Sequence, residues 1–262
     1  MKILLTGHRG FIGSHMLRAL TGHDVTTFEW GETWPTVQGH DWVIHNGAIS
    51  STTETDVKKL LRQNYEFSVW LFEECKQHNV NLQWSSSASV YGLVSTFRED
   101  ALLNPCTPYA ESKRLFEDYC SKYTGNNIVQ GFRYFNVYGP EGEEHKGSQA
   151  SPFMQFKRQA TETGRIKVFE GSEAYLRDFI HVGQVVDTHL QFLNVTESGI
   201  WNVGTGRTMS FMDVARKFKV PIDVIPMPEI LKNSYQTYTC ADTTKLDTTL
   251  KMAKQFAIMD DK

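Results

Sequence analysis

Lys2-Ile3-Leu4-Leu5-Thr6-Gly7-His8-Arg9-Gly10-Phe11-Ile12-Gly13 is the stretch that decides the fold. Ile3–Thr6 reads as a short strand, apolar enough for burial on both faces. Phe11, Ile12, Met16, Leu17 and Leu20 then recur with helical spacing, so a strand passes directly into a helix. The glycines between them have separate uses. A tight turn needs a residue without Cβ, close approach of a pyrophosphate needs bare backbone, and close helix–strand contact needs a third small residue. The helix N-terminus beyond them offers unpaired N–H groups to an anion. Three spaced glycines are common by chance; their place at the first strand–helix junction is what gives them weight.

Outward from this turn the pattern repeats. Val25–Phe28 and Trp42–His45 read as strands, and Glu54 to Gln77 as one long helix carrying Val57, Leu60, Leu61, Trp70 and Leu71. A strand at Leu82–Ser85, a helix from about Tyr109 to Tyr123 and a strand at Ile128–Phe132 follow. Such alternation predicts an α/β fold with a doubly wound parallel sheet. After Asn136 the texture changes: Gly139-Pro140-Glu141-Gly142 breaks the pattern and a polar loop runs to Ser151. Helices around Phe153–Thr161 and Val182–Leu193, a strand at Ile166–Phe169 and a short helix from Ser210 to Phe218, with Ser210 as N-cap, complete the reading. The expected organisation is a dinucleotide-binding domain over residues 1–138, with the chain crossing back near 180–205, and a smaller C-terminal substrate-binding lobe over 139–262.

The 262 residues are 40% hydrophobic, enough for a sizeable core, and carry a net charge of −3 without a basic stripe. That argues against nucleic acid as a partner, while an anionic small molecule needs only a few cations. The N-terminal apolar stretch is too short for a signal peptide, and no segment approaches the ~20 apolar residues of a membrane span. Cys75, Cys106, Cys120 and Cys240 show no close pairing, which fits reduced thiols and a cytoplasmic setting. The histidines form no metal-ligand cluster, so no metal is expected.

Two further patterns bear on chemistry. Glu29 ends the second strand, where a carboxylate can accept from both ribose hydroxyls of an adenosine and so favours NAD. Arg9 inside the glycine turn pulls towards NADP, because a guanidinium there can neutralise a 2′-phosphate. The pair leaves that choice open. Tyr109-Ala110-Glu111-Ser112-Lys113 sets a phenol and an ammonium on one helix face. A cation so placed is expected to lower the tyrosine pKa towards a working base. Upstream, Ser85-Ser86-Ser87-Ala88-Ser89-Val90-Tyr91-Gly92 lies at a strand's carboxyl end, where ligands of doubly wound folds sit.

Together these features resemble the extended short-chain dehydrogenase/reductase superfamily and, within it, the NAD-dependent epimerase/dehydratase family, from Met1 to about Thr243. The resemblance makes Ser87, Tyr109 and Lys113 the catalytic serine, base and base partner, and Asn64 the structural asparagine of the cofactor side. It implies a Rossmann-type domain that binds NADP or NAD through Gly7, Arg9, Gly10, Phe11, Ile12, Gly13, Glu29, Asn46, Gly47, Ala48, Ser50, Asn64, Tyr109, Lys113 and Val137. More particularly, His45-Asn46-Gly47-Ala48-Ile49-Ser50-Ser51-Thr52-Thr53-Glu54, His145-Lys146-Gly147-Ser148-Gln149-Ala150-Ser151, Phe169-Glu170-Gly171-Ser172, Arg177-Asp178-Phe179 and Asn202-Val203-Gly204-Thr205-Gly206-Arg207 resemble, in order, the ADP-glyceromanno-heptose 6-epimerase family. That implies a homo-oligomeric isomerase of nucleotide-sugar metabolism, in that family part of lipopolysaccharide synthesis, which oxidises the heptose C6 carbinol and reduces it again on the other face. Lys146 then becomes a second base opposite Tyr109. Ser87, Asn136, Ser148, Gln155, Phe169, Glu170, Gly171, Ser172, Arg177 and Tyr235 become substrate contacts, Arg177 with its fork suited to a diphosphate.

The chain also departs from that pattern. The interval between Phe28 and Val43 is too short for the strand and helix usual there, and Trp30-Gly31-Glu32 stands where a phosphate-holding lysine is expected. Gln155 replaces a histidine, and the C-terminal end stops soon after Leu250. Two rival readings follow. A UDP-sugar 4-epimerase would share the core motifs but has no use for His145-Lys146-Gly147-Ser148. A non-catalytic NAD(P)-binding module would have lost Tyr109 or Lys113. A dehydratase is disfavoured because Ala88-Ser89, not an acidic pair, follows Ser87.

Overall fold

The computed structural model describes residues 1–229 and 236–260. Its frame consists of β1 (Lys2–Thr6), β2 (Asp24–Phe28), β3 (Trp42–His45), β4 (Asn81–Ser87), β5 (Val129–Tyr134) and a late strand, β9 (Gly199–Val203). They form a six-stranded sheet in the order β2-β1-β3-β4-β5-β9, parallel throughout. Alternation along the strands divides the core. Ile3, Leu5, Trp42 and Ile44 face a cluster that includes Met16, Leu20 and Val186. Leu4, Val43, Leu82 and Trp84 face the opposite cluster, with Phe67, Leu71, Phe72 and Phe116. Successive strand side chains point to opposite faces, so strands this apolar require cover on both sides. Helices α1 (Phe11–Ala19) and α6 (Val182–Phe192) supply it on one side, and α3 (Phe67–Gln77) and α4 (Pro108–Cys120) on the other.

No helix stands between β2 and β3, as the short interval implied. Trp30 and Trp34 instead lean edge-on against the Phe67 ring, and Trp34 also packs on Trp70 at 4.6 Å. The long helix expected from Glu54 begins later, at α2 (Val57–Leu60), because Asp56 caps it by accepting the Lys59 N–H at 3.0 Å. It then widens into a π-helical stretch, Leu61–Glu66, before α3. Likewise α4 stops at Cys120 and not at Tyr123.

The second half holds β6 (Asn136–Tyr138), α5 (Pro152–Thr163), β7 (Ile166–Phe169), β8 (Leu176–His181), β10 (Thr208–Ser210), α7 (Phe211–Arg216), β11 (Ile222–Ile225), β12 (Tyr238–Thr239) and α8 (Thr244–Asp260). Strand β8 is flanked by β10 and β12 over its first half and by β6 over its second, while β11 pairs with β7. Ser210 caps α7 as expected, accepting the Asp213 N–H at 3.0 Å. Strands β8, β10 and β12 and helix α8 were not read from the pattern. Among the described residues no helix is long and apolar enough to cross a membrane.

Two imidazoles are sealed inside the frame. His45 lies between Thr6 Oγ1 at 2.7 Å and Ser68 Oγ at 2.8 Å. Ser68 Oγ donates to the Asn64 carbonyl and Thr6 Oγ1 accepts the Gly47 N–H, so His45 donates through Nε2 and accepts through Nδ1. His189 donates through Nδ1 to Gln83 Oε1 at 2.7 Å and accepts from the Tyr134 hydroxyl. Burial pushes both down from 6.5 to about 3, with Lys113 adding to the effect at His45. The unfolded chain therefore binds more protons than the folded one between those two values. Stability falls as pH falls through that window, by up to about 1.4 kcal/mol per pH unit for each ring. Urea denaturation followed at pH 7, 5.5 and 4 should show this slope, and His189→Gln should flatten it; an unchanged slope would contradict neutral burial.

Candidate active site

The glycine turn is built by a close crossing of two loops. Gly7 sits at φ +73°, and a Cβ there would lie 2.5 Å from the Gly47 Cα and N; one on Gly13 would lie 2.0 Å from the Gly7 carbonyl oxygen. Only glycine tolerates either place. Helix α1 starts from Gly10 with no side-chain cap, which leaves its first turn open to an anion. Because the chain runs from β1 out to β2 and back across to β3, the sheet order reverses between β1 and β3, the position where doubly wound folds bind ligands. A cavity of about 160 Å³ opens there, and Gly7, Gly10, Glu29, Asn46, Gly47 and Ala48 all line it. Trp30, next to Glu29, lines it too, as do Gln63 and Phe67; no motif pointed to the last two, since nothing but tertiary contact brings them near the turn.

The polar groups suit a dinucleotide. Glu29 Oε1 accepts the Arg9 N–H at 2.6 Å and lies 3.5 Å from His8 Nδ1. Asn46 Oδ1 accepts from Ser85 Oγ at 2.5 Å, while its buried Nδ2 has no partner among the described residues. A buried donor of that kind is costly unless something accepts from it. Bare backbone at the turn, a carboxylate at the end of β2 and an unmatched donor beside it are what a nicotinamide dinucleotide requires. Asn64 works differently: it is buried, accepts the Ile49 N–H at 2.8 Å and donates to Ile49 O and Ser112 Oγ. It ties the loop after β3 to α4. Ile12 and Val137 pack against the cluster around Phe132 and Val203, and Ser50 is exposed.

Helix α4 carries the phenol and the ammonium. Thr107 caps it and Pro108 sits at its start. Tyr109, Ser112, Lys113, Phe116 and Glu117 form its buried face. Lys113 Nζ donates to the Ser85 carbonyl at 2.9 Å, and Ser87 Oγ at the end of β4 accepts from the Ser89 N–H and hydroxyl. The expected drop in the tyrosine pKa is not found. Burial raises Tyr109, with the Ser87 hydroxyl pulling the other way, and the Lys113 charge is turned to a carbonyl instead. Lys113 itself is pushed down to about 8 by burial, partly offset by Glu117.

Lys146 lies in a short 3-10 segment, Glu144–Gln149, whose base is held by the buried Glu143 carboxylate on Gly139 N, Ser151 N and Ser151 Oγ. Its ammonium stands 4.4 Å above the Phe11 ring, the first residue of α1. Burial lowers its pKa, against Glu143. Gln149 bridges to Thr52 and Thr53 at 3.2 Å, so the segment spans the ends of β1 and β3. Tyr109 stands by Ser87 at the end of β4. The ends of β1 and β4 lie two strand spacings apart, roughly 10 Å.

Gln155, Phe169 and Ser172 line a second cavity of about 610 Å³ between α5, β7 and β11, with Lys167 and Phe211. Gln155 donates to Ser148 O and Ala150 O, and Ser172 Oγ to Phe169 O. Glu170 and Gly171 are exposed beside it. Arg177 is buried, donates to Leu176 O and Gln236 O, and stacks 5.4 Å from the Phe211 ring. Asp178 makes no ion pair with it but accepts from Thr205, Gly206 and Ala241. Asn136 donates to Asp178 O. Tyr235 lies outside the described residues.

Comparison with known proteins places this geometry. The NAD dependent epimerase/dehydratase family matches residues 24–204, and the chain belongs to that family. It is accordingly a nicotinamide-dependent enzyme. Among solved structures, ADP-L-glycero-D-manno-heptose-6-epimerase of Helicobacter pylori superposes with a TM-score of 0.84 at 23% identity, covering 95% of this chain and 90% of that one. UDP-N-acetylglucosamine 4-epimerase of Methanobrevibacter ruminantium gives 0.83 at 21%, covering 99% and 98%. UDP-glucose 4-epimerase of Thermus thermophilus, in complex with NAD, gives 0.79 at 25%, covering 97% and 99%. These likenesses establish the fold.

Gly13→Ala should lower stability by about 1–3 kcal/mol, because the added methyl must push the Gly7 carbonyl away, and should weaken dinucleotide binding with it. Thermal denaturation and NADH titration check both; unchanged binding would mean the turn does not hold the cofactor.

Proposed function

We propose that the chain is a nucleotide-sugar epimerase that inverts a carbinol by transient oxidation and reduction, with C6 of an ADP-glycero-manno-heptose as the reacting centre. The observation that carries the reading is a pair of proton-handling groups on either side of the β3 end: the buried Tyr109 beside Ser87, and the half-buried Lys146 above Phe11. Inversion through a ketone needs a proton carrier on each face of the carbon, and one base on one face serves only one epimer.

A nicotinamide bound at the glycine turn supplies the hydride acceptor for one half of the reaction and the donor for the other. Gly7 and Gly10 would let the backbone approach its diphosphate, Gly13 lets α1 close on the turn, and Glu29 and Asn46 would offer it an acceptor and a free amide donor. Tyr109, in the phenolate form that burial disfavours and the Ser87 hydroxyl favours, takes the proton of the substrate hydroxyl on one side, with Ser87 against the same oxygen. Lys113, close to 8, keeps a charge at neutral pH one helical turn along. Lys146, its pKa lowered by burial, exchanges the proton on the other side. The larger cavity with Gln155, Phe169 and Ser172 would receive the nucleotide end, with Arg177 behind Phe211, one of its wall residues. The heptose reading draws on the His145-Lys146-Gly147-Ser148 element and on the Helicobacter likeness; a UDP-sugar 4-epimerase is the rival that the other likenesses keep in view.

Tyr109→Phe combined with Lys146→Met should reduce epimerisation by about 10²–10⁴-fold, the usual contribution of general acid–base groups, and leave NADH binding intact. Purified protein incubated with ADP-heptoses and UDP-sugars, with epimers followed by NMR, decides the substrate. Wild-type turnover in the double variant would sink the two-base mechanism, and turnover of UDP-sugars alone would replace the heptose.

A further inference from the structure

Residues 29–32 fold into a tight turn at the cofactor cavity. Glu32 N–H donates to the Glu29 carbonyl at 3.2 Å, and Gly31 takes φ +102°, the left-handed value that the third position of such a turn requires. The turn brings the Glu32 carboxylate back towards the glycine loop. Its Oε2 accepts the Glu29 N–H at 3.0 Å, and its Oε1 lies 3.5 Å from Arg9 Nη2. Glu29 in turn holds the Arg9 backbone N–H. Two carboxylates thus sit at this corner, Glu29 lining the cavity and Glu32 beside it, and the guanidinium suited to a 2′-phosphate is drawn to Glu32.

From this geometry we infer that Glu32 sets the cofactor preference, favouring a dinucleotide with a free 2′-hydroxyl by holding Arg9 away from the phosphate of its 2′-phosphorylated counterpart. The inference rests on the proposed cofactor site and deepens it. Glu29 alone does not resolve the contest with Arg9; Glu32 does, because it pairs with the cation that would otherwise meet a 2′-phosphate. Its position follows from the turn itself: the Glu32 N–H bond to the Glu29 carbonyl and the left-handed Gly31 fold residue 32 back onto the Glu29 N–H. Both partners are largely exposed, side chains 72% for Arg9 and 45% for Glu32, so the effect is modest and weakens with salt.

The test is a binding measurement. Kd for NAD⁺ and NADP⁺ is measured calorimetrically on the wild-type protein, Glu32→Gln, Arg9→Ala and the double variant, at low and at 0.5 M salt. Glutamine keeps an acceptor for the Glu29 N–H, so the turn persists. We expect wild-type protein to prefer NAD⁺. Glu32→Gln should tighten NADP⁺ about fivefold, the scale of one exposed charge pair, and change NAD⁺ by less than about twofold. Adding Arg9→Ala should cancel the NADP⁺ gain, and high salt should shrink it. Unchanged discrimination in Glu32→Gln, or a gain that survives loss of Arg9, would overturn the inference while leaving the cofactor site standing. A wild-type protein that binds neither dinucleotide would overturn the site itself, and this inference with it.

Discussion

The ion pair between Glu117 and Arg133 is the constraint on which the active-site geometry depends. Both side chains are almost fully buried, 6% and 4% exposed. Arg133 on β5 donates through Nε and Nη2 to the Glu117 carboxylate on α4, and Ser86 on β4 donates to the same group at 2.5 Å. The remaining guanidinium nitrogen reaches the Tyr91 hydroxyl and the Glu99 carbonyl. A buried charge pair is stable only when its other donors and acceptors are met, and here they are. The consequence is positional. Glu117 lies one turn beyond Lys113 and two beyond Tyr109 on the same face, and Ser86 precedes Ser87. One carboxylate therefore clamps the helix bearing the phenol to the strand bearing the serine.

The other half of the site depends on absence of side chain. The loops after β1 and β3 touch at Gly7 and Gly47, with no room for a Cβ. That contact closes the floor of the cleft at the point where the sheet order reverses. Shortening the β2–β3 connection did not disturb it, because β3 still pairs with β1 over its whole length. What changed is the outer wall, where Trp30, Trp34, Phe67 and Trp70 pack in place of a missing helix. An aromatic wall next to a polar turn offers a flat apolar surface to a base ring.

Much of this was legible in the sequence and some was not, for reasons that differ. Strands β1 and β3 each carry an apolar run, Ile3–Leu5 and Trp42–Ile44, so their burial shows as composition. The glycine turn is legible because each glycine answers a local steric need. Strands β8, β10 and β12 are short and mixed in polarity; their pairing is decided by partners far along the chain. The π-helical stretch at Leu61–Glu66 has ordinary helical residues, and the contacts of Asn64 within it, to Ile49 and Ser112, lie far along the chain. Tyr109 shows the limit of spacing arguments. Four residues of separation places Lys113 on the same face, but which oxygen its ammonium meets is settled by the strand packed against it.

Asp178 carries that lesson into the second half of the chain. Arg177-Asp178-Phe179 and Asn202-Val203-Gly204-Thr205-Gly206-Arg207 both resemble stretches of the heptose family, with Arg177 expected on the substrate, yet in the fold the two stretches bind each other. The fully buried Asp178 carboxylate accepts from Thr205 N, Thr205 Oγ1, Gly206 N and Ala241 N, and a Cβ on Gly204 would lie 2.7 Å from its Oδ2. Gly204 thus has to be bare so that the loop can close on the carboxylate. Since β9 ends at Val203 in the main sheet and Asp178 belongs to β8, this one group joins the two sheets. A motif that looks like a ligand contact can equally be the joint that holds the ligand's two walls at a set distance, and here the joint carries Arg177 and Phe179 into position beside the larger cavity.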